Sequence, residues 1–274
     1  MATPSPAASS ASASASASAS ASVKWSYAYP ELLPGKLIKR YKRFLADIQL
    51  DTGDRITAHC PNTGPMTGVC HIGSPVMVSR SNNPKRKLGY TWELISVPDA
   101  RNPQKCVWTS INTALPNRVM QSALEHRLFP ELGSYEAIKP EVRYGTDNKS
   151  RIDFLLTGTP DNKPIYVEVK NTTWATGPRA RFPDTVTTRG QKHLRELTSL
   201  IPNARSVMVY FISREDCEEF SPGDGSDPLY GQLLREAKKQ GVEILPLRFQ
   251  IAPDCIRYRG KAVLVLEDIQ PANP

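Results

Sequence analysis

Two carboxylates and an ammonium interrupt strands that are otherwise apolar, and no other stretch limits the fold of this chain so tightly. The sequence runs Ser150-Arg-Ile-Asp153-Phe-Leu-Leu-Thr157, turns through Gly158 to Lys163, and continues Pro164-Ile-Tyr-Val-Glu168-Val-Lys170. Two runs of β-branched and aromatic residues around a Gly, Pro, Asp and Asn cluster predict a β-hairpin. Successive strand side chains point to opposite faces, so Glu168 and Lys170 share a face, with Asp153 early in the partner strand. Such a break in an apolar pattern marks a site more often than a packing accident.

Close carboxylates can hold a divalent cation such as Mg2+ or Mn2+ through oxygen ligands, which polarises a phosphodiester and lowers the pKa of an attacking water. Lys170 beside them can orient that water or neutralise charge building on phosphate oxygens. The alternative is a half-exposed sheet edge whose acids and bases form cross-strand pairs, Lys170 simply pairing with Glu168. Asp153 followed by Glu168-x-Lys170 resembles the PD-(D/E)XK nuclease motif, with Arg151 and Ile152 standing where proline often does.

At 274 residues and 39% hydrophobic content the chain can bury one large or two modest cores. Its net charge of +8 favours an acidic partner, a nucleic acid or an anionic surface. No apolar run is long enough to span a membrane. Five cysteines without clustered spacing argue for a reducing compartment and an intracellular soluble protein. His59-Cys60 and Cys70-His71 offer four zinc-type ligands, but Pro61 and Gly64 between them read more simply as a turn.

Residues 1–22 are almost wholly Ala and Ser and are expected to be disordered. An acid-free segment of this kind is compatible with a plastid transit peptide, or with a low-complexity tail. Residues 23–100 carry five short strand signals, Lys36 to Lys42, Phe44 to Gln49, Arg55 to His59, Val76 to Ser79 and Thr91 to Ser96, separated by strong turn sequences. That count suggests an oligonucleotide-binding (OB) barrel. Lys and Arg track phosphates while aromatic faces stack bases, so Arg80, Lys85, Arg86 and Lys87 are expected to contact phosphate. Phe44 and Trp92 are expected in the barrel core. Pro98 to Cys106 reads as a linker.

Residues 101–274 form the second unit. Helices are expected at Leu115 to Phe129, Thr185 to Leu200 and Leu229 to Gln240, and strands at Lys139 to Tyr144, Ser206 to Ile212, Val242 to Phe249 and Ala262 to Leu266, besides the hairpin. Helix, three strands, helix, strand is the order of the PD-(D/E)XK core. In that fold the first helix supplies a further acid, and Glu125 is the matching position. Arg189 and Lys192, on the helix after the motif, are expected to reach phosphate, whereas His193 reads as a surface or packing residue and Glu141 as solvent-facing. The acidic loop Asp216 to Pro228 is expected to face away from DNA.

The loop Cys60-Pro-Asn-Thr-Gly-Pro-Met-Thr-Gly68, Arg118 with Glu125, the hairpin motifs, Phe182-Pro-Asp184 and Thr188-Arg-Gly-Gln-Lys-His-Leu194 together resemble the sugar fermentation stimulation protein family (SfsA) over residues 32 to 250. The resemblance implies an N-terminal OB-like barrel, a C-terminal nuclease-like α/β domain and DNA binding. Two readings follow. One is a metal-dependent nuclease with Asp153 and Glu168 as metal ligands and Lys170 and Glu125 completing the catalytic set. The other is a non-catalytic nucleic-acid-binding regulator that uses the fold as a scaffold.

Overall fold

Strand β1 (Ser26–Ala28) leads into β2 (Leu32–Tyr41), β3 (Leu45–Leu50), β4 (Arg55–His59), β5 (Pro75–Arg80), β6 (Tyr90–Pro98) and β7 (Cys106–Ser110). β2 to β7 form one sheet in the order β4-β3-β2-β5-β6-β7, and a bridge from His59 in β4 to Thr91 in β6 closes five of the strands into a barrel. Alternating side chains put Leu37, Ile48, Val76, Val78 and Trp92 inside it. Trp92 is in the core as expected, its indole N–H donating to the Leu94 carbonyl. Phe44 is not: it stands at the β2–β3 tip with 46% of its surface exposed.

The computed structural model describes residues 25–145 and 149–267, so the expected disordered or transit segment 1–22 lies outside the described residues. Pro98 to Cys106 is no linker. Pro98 pairs with Cys106, making this stretch the turn of a β6–β7 hairpin, because the Asp99 carboxylate takes the N–H groups of Arg101 and Asn102 and closes the chain on itself. The first sheet therefore continues past residue 100, while β1 pairs with a strand near the other end of the chain.

The rest comprises α1 (Leu115–Glu125), a 3-10 turn at Pro130–Leu132, β8 (Ala137–Tyr144), β9 (Ser150–Thr157), β10 (Ile165–Thr172), β11 (Trp174–Thr176), β12 (Arg179–Phe182), α2 (Thr188–Ser199), β13 (Arg205–Ile212), β14 (Glu219–Pro222), α3 (Pro228–Lys239), β15 (Glu243–Ile251), β16 (Cys255–Lys261) and β17 (Val263–Leu264). The main sheet runs β1-β16-β15-β13-β10-β9-β8, parallel across β10, β13 and β15. β13 is buried along nearly its whole length, as a strand covered on both faces must be. α1 covers one face with Leu115, Val119, Met120 and Leu124, where Leu94 of the barrel joins the same core. α2 and α3 cover the other through Leu194, Leu197 and Leu234.

α1 stops four residues before the expected Phe129, since Arg127 takes a left-handed backbone at φ 53. α2 starts three residues late: Thr187 caps it by accepting from Gly190 N–H. Gly190 has no side chain because α2 and α3 meet there. A Cβ would stand 3.0 Å from the Tyr230 ring and 2.8 Å from Thr187. None of the described helices is long and apolar enough to cross a membrane.

Candidate active site

β10 alternates in both chemistry and direction. Val167 and Val169 point into the α1 core, while Glu168 and Lys170 point to the α2 side. The side chains of Glu168 and Lys170 are only 4% and 12% exposed. Val167 pairs with Phe154, next to Asp153, and there the β9–β10 ladder ends. The Asp153 carboxylate takes over: Oδ2 accepts from the Val169 N–H at 2.7 Å and Oδ1 from Asn117 Nδ2 at 2.6 Å. The hairpin therefore does bring the two acids and the lysine together at one end of the sheet.

Glu168 Oε1 accepts from Lys170 Nζ at 2.6 Å and from His193 Nδ1 on α2. Arg189 Nε lies 3.4 Å from His193 Nε2, so the imidazole takes the tautomer with its proton on Nδ1 and points it at Glu168. Glu168 Oε2 is buried and accepts no hydrogen bond. Burial alone would raise the Glu168 pKa, but Lys170 and His193 outweigh it and hold the group below its ordinary value. Asp153 goes the other way: burial and then the neighbouring Glu168 charge push it from 3.8 to about 7.

Tyr144, at the end of β8, extends the cluster. Burial, followed by the charges of Glu168 and Glu196, keeps its hydroxyl neutral. Glu196 accepts from Ser150 Oγ at 2.7 Å and pairs with Lys192 at 3.4 Å.

Two expectations fail here for physical reasons. Glu125 is exposed at the far end of α1, where its carboxylate accepts from Gln121 rather than meeting Asp153. The helix instead supplies Asn117, two turns earlier, which a search for acids overlooks. His193 is neither a surface nor a mere packing residue. It lies on the stripe Gly190, His193, Leu194, Leu197, all buried at helical spacing, and that stripe was the signal for it.

Glu141 is solvent-facing as expected, 4.0 Å from Arg151. The acids of the loop Asp216 to Pro228 are largely held within the protein. Asp216 is buried against Arg214 and accepts from Ala100 N–H, Glu219 pairs with Arg179, Asp224 pairs with Arg235, and Asp227 caps α3. At the zinc-type residues, Cys60 Sγ meets the Asn62 carbonyl and His71 meets the Gly68 carbonyl. Among the described residues no three His, Cys, Asp or Glu side chains are grouped to hold a metal ion.

Residues 114–255 match the family model described as "Sugar fermentation stimulation protein RE domain", and residues 38–101 match "SfsA N-terminal OB domain". The chain belongs to the sugar fermentation stimulation protein family. Over 242 residues it is 62% identical to the sugar fermentation stimulation protein homolog of Trichormus variabilis, covering 88% of this chain and 99% of that protein. The Synechococcus elongatus homolog is 60% identical over 240 residues, 88% of this chain and 98% of that one. Pyrococcus furiosus SfsA, solved in complex with Ca2+, superposes with a TM-score of 0.76 at 26% identity, covering 87% of this chain and 98% of that one.

In this SfsA-family chain the six basic residues expected to contact phosphate fall into two groups. Arg80, Lys85, Arg86 and Lys87 are exposed at and beyond the end of β5, with Arg86 3.5 Å from His59 Nδ1. Arg189 and Lys192 are exposed on α2 beside the carboxylates. Asp153 Oδ1 and Oδ2 and Glu168 Oε2 keep oxygen lone pairs that the protein leaves unused.

Proposed function

We propose that this protein is a metal-dependent phosphodiesterase acting on nucleic acid, most simply DNA. The observation that carries the reading is Glu168 Oε2, a buried carboxylate oxygen without a hydrogen bond, beside an Asp153 carboxylate that resists ionisation. A buried acceptor left unsatisfied is costly, and a cation offsets that cost together with the burial and the Glu168 repulsion that raise the Asp153 pKa. Two carboxylates, with water and phosphate oxygens filling the remaining positions, suit Mg2+ or Mn2+. The Pyrococcus furiosus relative was solved in complex with Ca2+, which supports divalent-cation binding in this family.

When bound, the cation polarises the phosphodiester and acidifies water. The chain's own groups do the rest. Lys170 Nζ, fixed by Glu168, faces phosphate oxygens with a positive charge. Asn117 and Val169 N–H hold Asp153 in one rotamer, and Arg189 through His193 does the same for Glu168. Arg80, Lys85, Arg86 and Lys87 on the barrel, with Arg189 and Lys192, supply phosphate contacts. The cyanobacterial relatives and the Ser/Ala-rich segment 1–22 support a plastid location, tested by fusing that segment to a fluorescent protein.

The test incubates the full chain with labelled single-stranded, duplex and flap DNA in Mg2+, Mn2+ or chelator, beside Glu168→Gln and Lys170→Met. Metal-dependent cleavage lost in both variants is expected. Binding without cleavage in any metal, unchanged by either substitution, would instead favour the scaffold reading.

A further inference from the structure

We propose that Phe44, at the tip between β2 and β3, stacks an unpaired nucleobase, so that the barrel grips a single-stranded segment of the same strand that enters the carboxylate site. This deepens the nucleic-acid reading above and rests on it.

Phe44 is 46% exposed, and its tip neighbours Lys42 and Arg43 are exposed cations. Both take left-handed backbone conformations, at φ 48 and 65, which costs non-glycine residues about 1 kcal/mol each. A tight turn built for folding alone would carry glycine or asparagine there. The strained tip is locked from beneath. Arg40 Nε donates to the Arg43 carbonyl, Arg43 Nε to the Thr63 carbonyl, a second Arg40 nitrogen to the carbonyls of Asn62 and Gly64, and Cys60 N–H to the Phe44 carbonyl. Those bonds fix an apolar ring in solvent without covering it.

The surrounding charge says what the ring meets. Arg86 reaches His59, whose β-ladder partner Leu45 is the neighbour of Phe44, so the basic loop Lys85 to Lys87 flanks the tip. An aromatic ring among cations is the arrangement that stacks bases while phosphates lie alongside, and only an unpaired base offers its face. The tip is also tied to the site. Loop 61–68 meets the second unit where Thr113 Oγ1 donates to the Pro61 carbonyl at 3.1 Å and Thr67 N–H to Asp184 at 3.4 Å. Thr113 lies two residues before α1, which holds Asp153 through Asn117, and Asp184 lies three residues before the cap of α2, which carries His193. One bonded framework joins the ring to both carboxylates.

The test measures anisotropy of the full chain, with chelator present to prevent cleavage, on a labelled single strand, the same strand as duplex, and an abasic version. Phe44→Ala should lose about 5- to 100-fold affinity on the intact single strand, with little change on duplex or abasic strand and an unchanged salt slope. Phe44→Trp should keep the affinity, with emission quenched on binding. The triple variant Lys85→Ala, Arg86→Ala, Lys87→Ala should lower the salt slope by about 2 instead. If the triple variant weakens binding while Phe44→Ala does not, or if Phe44→Ala loses as much on the abasic strand, the stacking role is wrong while the nucleic-acid reading stands. A wild-type chain that binds none of the three probes overturns both.

Discussion

Replacing Asp153 by Asn should stabilise the metal-free protein while abolishing the metal-dependent cleavage proposed above. The folded carboxyl ionises near pH 7 and the unfolded one near 3.8, a gap worth about 4 kcal/mol at about 1.4 kcal/mol per pH unit. The sign follows from proton binding: between these values the native state holds a proton that the unfolded state has lost. This carboxyl therefore costs the wild type stability as pH rises from 3.8, and the full penalty is present above 7. An asparagine has no such penalty, but it cannot accept from both Val169 N–H and Asn117, which forfeits about 1 kcal/mol. The variant should be nearly level with wild type at pH 5 and about 3 kcal/mol more stable at pH 8. Urea unfolding in chelator at both pH values measures this. Adding divalent cation at about a hundred times its Kd should return about 2.7 kcal/mol to the wild type alone and close the gap. A variant less stable than wild type at pH 8 in chelator would refute the reasoning.

Three further outcomes are expected. His193→Ala leaves Glu168 without its buried donor and should cost about 1 to 3 kcal/mol in urea unfolding and weaken divalent binding by calorimetry, whereas His193→Asn, which can still present an N–H, should recover part of both. Arg214→Ala strands the buried Asp216 carboxylate at the junction of barrel and α/β unit, and should lower stability by about 3 to 5 kcal/mol, read from the same denaturation curve. Gly190→Ala forces a Cβ against Tyr230 and Thr187 and should cost about 1 to 3 kcal/mol, seen as a lower thermal midpoint with divalent affinity little changed.

Local signals reached as far as the local chemistry did. Strand and turn residues gave the barrel strands and the hairpin, because alternation and the Gly158 turn depend on neighbours in the chain. The juxtaposition of Asp153, Glu168 and Lys170 was legible for the same reason, since a hairpin sets its own register. Pro98 to Cys106 reads as a linker because its prolines, Asp99 and Asn102 suit a connection as well as a hairpin turn, and the start of α2 falls three residues from expectation because Asp184, Thr185 and Thr187 all suit a cap. Glu125 was chosen for its charge, but position on the helix decided against it.

What the sequence determined alone is the strand pattern, the two polar breaks within it and the excess of basic charge, all properties of residues within a few positions of one another. What tertiary structure decided is which partners those groups meet. Asn117 on Asp153, His193 on Glu168 and Arg43 on the Thr63 carbonyl each join elements separated by 20 to 40 residues of chain. Their energetics depend on burial and packing that only the closed sheet, flanked by α1 on one face and α2 on the other, creates.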